Sequence, residues 1–90
     1  VKTCLNLIGG RMVPARSGNT LPVFEAATGA ERGRVADSAS EDIAAAVEAA
    51  SRAFPAWAST PASERSRVLL RLADLVERHL EPLAEAETRD

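Results

Sequence analysis

Hydrophobic and polar residues follow two different patterns along the chain, and the pattern changes near Ser38. Before this residue, short apolar runs alternate with glycine, proline and β-branched residues, a pattern typical of short strands joined by turns. After it, alanine, leucine and charged residues recur at three- and four-residue intervals, which is typical of amphipathic helices. The sequence therefore predicts an α+β segment, with a short N-terminal β-meander over residues 1–37 and two to three α-helices over residues 38–90.

The first half contains a clear hairpin signal. Two short apolar runs, residues 5–8 and residues 11–13, flank Gly9-Gly10. A two-residue glycine loop can adopt the positive φ angles that a tight hairpin turn requires. We therefore expect these two runs to pair as antiparallel strands.

Two further strands are expected before the helical half. Residues 21–24 should be extended, and Pro22 should confine them to a sheet edge, because proline has no N–H to donate to a neighbouring strand. Thr28-Gly29 is a turn signal, and a short strand is expected to follow it over residues 32–35.

The first helix carries a recognisable start and stop. Ser38-Ala39-Ser40-Glu41 has the form of a capping box in which Ser38 caps and Glu41 reaches back, although Ser40 fits the capping position equally well. Pro55 disfavours helical geometry at Phe54, so the helix should end near that residue.

The second helix has the strongest periodic signal in the chain. Thr60 is expected to cap it, with Pro61 at the first helical position, where the missing N–H costs nothing. Its apolar stripe comprises Val68, Leu69, Leu72, Leu75, Val76 and Leu80. Pro82 is expected to begin a third helix over residues 83–89. The chain would then end within a helix, which fits either a piece of a longer protein or a frayed terminal helix.

Composition and charge exclude several classes of function. The net charge is −2, whereas nucleic-acid-binding surfaces are usually basic. The apolar runs are only a few residues long, far short of the roughly 20 that span a bilayer. A single cysteine, Cys4, precludes an internal disulfide and is typical of a reducing compartment, so we expect a cytoplasmic location and neither nucleic-acid nor membrane partners.

The residues that could carry chemistry are isolated from one another. Cys4 would need a base or a positive field to become a thiolate, and the nearest cation is Lys2 beside the chain terminus. His79 has no Cys, His or carboxylate at metal-ligand spacing and is interpreted as a surface residue near a helix end. Glu85 and Glu87 are two residues apart and so point to different helix faces. From the residues alone, no catalytic or cofactor-binding site is predicted.

The order of short motifs is more informative than any one of them. LIGGR at 7–11 and VPARSG at 13–18 are followed by ATG at 27–29 and GRVAD at 33–37. The helical half continues with EDI at 41–43, AFPAW at 53–57, PASERSRVLLRLADLVE at 61–77 and LAEAETRD at 83–90. Collinear over nearly the whole chain, these motifs resemble the N-terminal segment of the aldehyde dehydrogenase superfamily. The sequences of residues 63–67 and 85–90 are similar to those of the muconic-semialdehyde dehydrogenase branch.

Three positions depart from the family pattern. Glu25-Ala26 stands where the family usually has Asn-Pro, Ala30 where it usually has an acidic residue, and Met12 where an aromatic residue is common. These changes bear on local turn geometry.

The resemblance implies an N-terminal part of an α/β aldehyde dehydrogenase fold, with both halves belonging to one incomplete NAD-binding domain. It implies a parent enzyme, a homodimer or homotetramer, that oxidises an aldehyde to a carboxylic acid with NAD or NADP. In that reaction a cysteine thiolate attacks the aldehyde, hydride passes to the cofactor, and a glutamate activates the water that releases the acid from the thioester.

The family's catalytic and cofactor-binding residues lie downstream of position 90, and Cys4 does not match the nucleophile's motif. The resemblance therefore assigns no catalytic or cofactor-binding residue here, and the fragment itself is expected to be inactive. One metal ligand is implied: the main-chain carbonyl of Phe24, which aligns with a ligand of a structural monovalent cation in some members. The alternative is a small non-enzymatic helical interaction module, or the product of a decayed gene.

Overall fold

The computed structural model describes residues 2–90. Its elements follow one another as strands β1 (Lys2–Cys4), β2 (Asn6–Ile8), β3 (Arg11–Val13), β4 (Thr20–Phe24) and β5 (Glu31–Ala36), then helices α1 (Ser40–Ser59), α2 (Ala62–Arg78) and α3 (Leu80–Arg89). The predicted class, short strands followed by helices, is confirmed. Contacts divide the chain into two compact units that meet between Ala53 and Phe54, within α1.

The predicted hairpin forms in the first unit. Strands β2 and β3 pair antiparallel, with Asn6 opposite Val13 and Ile8 opposite Arg11. Gly9 and Gly10 make the turn with φ angles of 60° and 78°, a region that residues with a Cβ adopt only at a cost. The two glycines therefore set the register of the hairpin.

The remaining strands form a separate sheet in the order β1-β5-β4. Strand β4 pairs antiparallel with β5 and lies at the sheet edge, as Pro22 predicts. Strand β1 was not predicted, and it pairs parallel to β5 with Lys2 opposite Gly33. The strands are thus divided between two sheets and do not form the one β-meander that was predicted, because β1 pairs with β5 and not with the strand that follows it.

The start of α1 differs from the predicted capping box. The N–H groups of Asp42 and Ile43 donate to the carbonyl of Ala39, which makes Ala39 the capping residue. Asp42 Oδ2 accepts from the Ala39 N–H at 2.9 Å. The side chain that reaches back to the capping residue is therefore one position further along the chain than predicted. The prediction of Ser38 or Ser40 as the cap, with Glu41 reaching back, was wrong because the helix begins at Ser40, which places Asp42 and not Glu41 three residues after the capping residue.

Helix α1 also continues through Pro55 to Ser59, so the predicted end near Phe54 was wrong. Proline removes one donor and disfavours helical geometry in the residue before it, but neither effect forbids a helix that is continued on both sides. The Thr60 hydroxyl donates to the Ala56 carbonyl at 2.8 Å and so closes the last turn of α1.

Thr60 consequently does not cap α2, as had been predicted. Pro61 is the capping residue, and its carbonyl accepts from the N–H groups of Glu64 and Arg65. Helix α3 begins at Leu80, earlier than Pro82 indicated, because His79 serves both as the C-terminal cap of α2 and as the N-terminal cap of α3.

Burial is sparse among the described residues. Ala15 is the one hydrophobic residue among them that is buried, at 2% exposure, and Asp42 is the buried charged one, at 8%. The large hydrophobic side chains of α2 and α3, including the whole predicted stripe, are exposed: Val68, Leu69, Leu70, Leu72, Leu75, Val76, Leu80 and Leu83. No helix within residues 2–90 is both long and apolar enough to cross a membrane.

Candidate functional site

The best-defined polar site is centred on Asp42, in the first turn of α1. One carboxylate oxygen accepts from the Arg16 N–H and the other from the Ala39 N–H, each at 2.9 Å. These two backbone hydrogen bonds, first that from Ala39 and then that from Arg16, hold the pKa of Asp42 below its ordinary value of 3.8, and the Arg16 charge acts in the same direction. Asp42 thus ties the loop after β3 to the start of α1.

Two exposed contacts lie beside this carboxylate. The Asn6 amide donates to the Ser38 hydroxyl at 2.7 Å, which connects β2 to the segment before α1. Arg16 lies 3.5 Å from Glu41, but both side chains are largely exposed, so this ion pair contributes little. The buried carboxylate is therefore the main polar connection between the hairpin and the helix.

A groove of about 580 Å³ lies between the hairpin and the start of α1. Its lining comprises Ile8, Val13, Pro14, Arg16, Glu41, Asp42, Ala44, Ala45 and Glu48. The carboxylate of Asp42 is already occupied by backbone N–H groups, and the lining contains no cysteine, histidine or hydroxyl that a base could activate. The groove is suited to packing or binding rather than to nucleophilic chemistry.

A second polar cluster fixes β4 to β5. Arg34 donates from Nε to the Thr20 hydroxyl at 2.7 Å and from a terminal nitrogen to the Thr20 carbonyl at 3.1 Å. Its other terminal nitrogen lies 3.1 Å from a carboxylate oxygen of Glu31. All three of these guanidinium contacts are to residues of β4 and β5, which indicates a structural role for Arg34.

The chemically reactive residues considered in the sequence analysis, Cys4 and His79, belong to different units. Cys4 lies on β1 and is an exposed free thiol. His79 is exposed at the junction of α2 and α3, where Nδ1 lies 2.8 Å from the Leu75 carbonyl and can donate its proton to it. Within residues 2–90, no three His, Cys, Asp or Glu side chains are placed to hold a metal ion.

Phe24, the predicted source of a cation ligand, is the last residue of β4. The pairing with β5 shifts between Val23 and Phe24: Val23 lies opposite Gly33 and Phe24 opposite Glu31, so the extra residue of this bulge is on β5. One carbonyl is not a cation site by itself, so this assignment stays a prediction.

The described residues do not fit a dinucleotide. Such a ligand needs a glycine-rich loop that leads directly into a helix N-terminus, where backbone N–H groups meet the phosphates. The glycines with positive φ among residues 2–90 lie instead in connections between strands, at Gly9, Gly10, Gly18 and Gly29. We therefore derive no chemical step through a nucleotide in this part of the fold.

A shallow pocket of about 400 Å³ lies in the second unit and was not predicted. Trp57, Ala62, Arg65, Ser66 and Leu69 line it. The Nε atom of Arg65 is buried there and has no hydrogen-bond acceptor. The sequence could have predicted that Arg65 lies on this face, because Arg65 stands four residues before Leu69 and so continues the apolar stripe of α2. Asp42 had a comparable signal, an acidic residue in the first turn of a helix.

Comparison with known proteins identifies the family to which these features belong. The sequence model of the aldehyde dehydrogenase family matches residues 12–90. The chain is 49% identical over 85 residues to 2-aminomuconic semialdehyde dehydrogenase of Bos taurus, covering 94% of this chain and 17% of that protein. It is 50% identical over 86 residues to aldehyde dehydrogenase family 2 member B4, mitochondrial, of Arabidopsis thaliana, covering 93% of this chain and 16% of that protein.

Solved structures agree with these relatives. HpcC of Thermus thermophilus superposes with a TM-score of 0.97 at 39% identity, over 99% of this chain and 17% of that one. PnpE in complex with nicotinamide adenine dinucleotide superposes with a TM-score of 0.89 at 41% identity, over 98% of this chain and 18% of that one. The chain thus spans about one sixth of the length of its relatives, and with its family model matched over residues 12–90 it belongs to the aldehyde dehydrogenase family.

Proposed function

We propose that this chain forms the N-terminal part of an enzyme that oxidises an aldehyde to a carboxylic acid with NAD or NADP through a cysteine thioester. The observation that carries the proposal is the family match over residues 12–90, together with superposition on part of a larger putative aldehyde dehydrogenase of Burkholderia cenocepacia. The relatives named for 2-aminomuconic semialdehyde and the structure solved with nicotinamide adenine dinucleotide support the substrate class and the cofactor.

In this proposal the chain supplies structure rather than chemistry. Its strands and the Asp42 contacts form a support, while the exposed stripe of α2 provides a surface for the remainder of the enzyme. Burying each large apolar side chain of such a stripe contributes roughly 1.5–3 kcal/mol. By itself the chain should be inactive, because Cys4 and His79 lie in different units and neither has a catalytic partner among the described residues.

A chimera tests the proposal. The chain replaces the region that it matches in bovine 2-aminomuconic semialdehyde dehydrogenase, and NADH formation is followed with a panel of aldehydes. We expect the chimera to oxidise aldehydes and the 90-residue chain to show no activity. The matched control is Cys4→Ser in the chimera, which should retain full activity because Cys4 is not the nucleophile.

Three results would contradict the proposal: a folded but inactive chimera, an active isolated chain, or loss of activity on Cys4→Ser. The alternative, a free-standing interaction module, is favoured by the exposed stripe of α2. It predicts that the isolated chain melts cooperatively as a compact species and captures a partner through that stripe. Identity to the bovine and Arabidopsis relatives is nearly equal, so an aldehyde panel on the native full-length enzyme, rather than on the chimera, separates the branches.

We also propose that the Phe24 carbonyl contributes to a monovalent-cation site whose other ligands lie outside this chain. The alignment of Phe24, the last residue of β4, with a cation ligand of some family members supports this. Replacing potassium chloride with tetramethylammonium chloride at equal ionic strength should lower the melting temperature of the chimera. Equal melting temperatures in the two salts would contradict the assignment of the Phe24 carbonyl as a cation ligand.

A cytoplasmic location and a homodimeric or homotetrameric parent enzyme complete the proposal. The exposed thiol of Cys4 supports a reducing compartment, while one relative is named as mitochondrial. Cell fractionation tests the location. Light scattering of the native enzyme tests the assembly, and a monomer would exclude both expected states.

A further inference from the structure

The pocket around Arg65 contains an unmet hydrogen-bonding requirement. Nε of Arg65 is buried and has no acceptor, and the side chain as a whole is half-buried at the start of α2. A guanidinium N–H that is removed from water without an acceptor loses its hydration without replacement. Because the side chain is only half-buried, a movement of the guanidinium would bring it to an acceptor from outside the described residues and remove this cost.

The chemistry of the pocket indicates which acceptor fits. Trp57 and Leu69, which are 44% and 61% exposed, form apolar walls beside the guanidinium. A carboxylate matches the fork of N–H donors that a guanidinium presents and supplies the compensating charge. The group that enters the pocket should therefore carry a carboxylate next to apolar surface.

The length of the surrounding face indicates the size of the partner. Arg65, Leu69, Leu72 and Val76 follow one another at helical spacing along one side of α2, over roughly 16 Å at 1.5 Å per residue. The three apolar members are all exposed. A small anion could pair with Arg65 but could not cover this stripe, whereas a polypeptide could do both.

Resting on the proposed function, we propose that Arg65 forms an ion pair with an Asp or Glu side chain from the part of the enzyme outside residues 1–90. Residues adjacent to that acid pack on Trp57 and Leu69. We assign this Asp or Glu to the same polypeptide. In the bovine relative the matched region is 17% of the length, so the rest of that protein has enough chain to cover the exposed side of α2. Arg65 is then a positioning residue that fixes how α2 seats on the remainder of the enzyme.

The chimera described above allows a direct test. Its crystal structure should show a carboxylate oxygen of the same polypeptide within salt-bridge distance of the Arg65 guanidinium. Arg65→Met should lower the melting temperature by at least about 2 °C, because it leaves the acid unpaired. Arg65→Lys should lower it less, since it keeps the charge and loses only the fork geometry.

Arg67→Met is the matched control, because Arg67 is exposed on the same helix. It should leave the melting temperature nearly unchanged. Partners of another kind around Arg65, namely water, main-chain carbonyls, an inorganic anion or an acid from a second subunit, would overturn the inference. Equal shifts for Arg65→Met and Arg67→Met would also overturn it. Both readouts are independent of aldehyde oxidation, so an inactive chimera would count against the proposed function alone.

Discussion

Strand β1 lies against β5 so closely that position 33 accommodates only glycine. A Cβ built on Gly33 would lie 2.8 Å from the main-chain oxygen of Lys2. Real Cβ atoms do not approach that closely, and a main-chain carbonyl cannot rotate away as a flexible side chain can. Gly33→Ala should therefore displace β1 from β5, where Lys2 pairs with Gly33 in parallel register.

Two opposing effects determine the magnitude. Overpacking of a close contact typically costs about 1–3 kcal/mol. Alanine in place of glycine inside a strand otherwise gains roughly 0.5–1 kcal/mol, because the unfolded chain loses conformational freedom. The collision outweighs the gain, so we expect a net loss of about 1–2 kcal/mol and a lower melting temperature.

A truncated chain supplies the control. Removing residues 1–4 removes the Lys2 carbonyl, and Gly33→Ala in that background should then be slightly stabilising. The measurements, made on the chimera described above, are thermal unfolding by circular dichroism and hydrogen exchange of the β5 amides in all four variants. If Gly33→Ala destabilises the truncated chain as much as the longer one, contact with Lys2 is not the cause and the reasoning is wrong.

Three further predictions concern the first unit and α1. Asp42→Asn should reduce stability near neutral pH. Since the pKa of Asp42 is lowered, its contribution is present above pH 3.8 and is lost as the pH falls through the lower folded value. A pH titration of unfolding should therefore show a smaller acid-dependent loss in Asp42→Asn, and identical acid profiles would contradict this. Gly10→Ala should cost about 1 kcal/mol through its positive φ, and Gly10→Asn less, as measured by urea unfolding; equal costs would count against a left-handed turn. Pro55→Ala should stabilise α1 by up to about 3 kcal/mol, because it restores a donor to the Ser51 carbonyl. Faster amide exchange around Ser51 in that variant would show that the proline is not the weak point.

The local elements were largely predictable because their signals are local. Two adjacent glycines predict the hairpin, and Pro22 predicts the edge position of β4. Boundaries that depend on competition between neighbours were missed. Asp42 rather than Glu41 reaches the first turn of α1, and the helix tolerates Pro55.

Long-range features had no sequence signal of the same kind. Pairing of Lys2 with Gly33 depends on where the intervening hairpin and β4 place the chain. No periodic pattern of hydrophobic residues in the sequence predicts this pairing. The buried Nε of Arg65 depends on how Trp57 and α2 pack. Membership of the family was predictable from the collinear motifs, which need no catalytic residue, and the family match over residues 12–90 agrees with them.

The parallel pairing of β1 with β5 also determines the order in which the first unit can form. Synthesis proceeds from the N-terminus, and both strands of the β2–β3 hairpin are complete once Val13 has been added. Strand β1 is made before the hairpin but has no partner until β5 ends at Ala36, so it is fixed after the elements that follow it. Strand β1 therefore remains accessible to chaperones and proteases for longer than the hairpin beside it in the sequence.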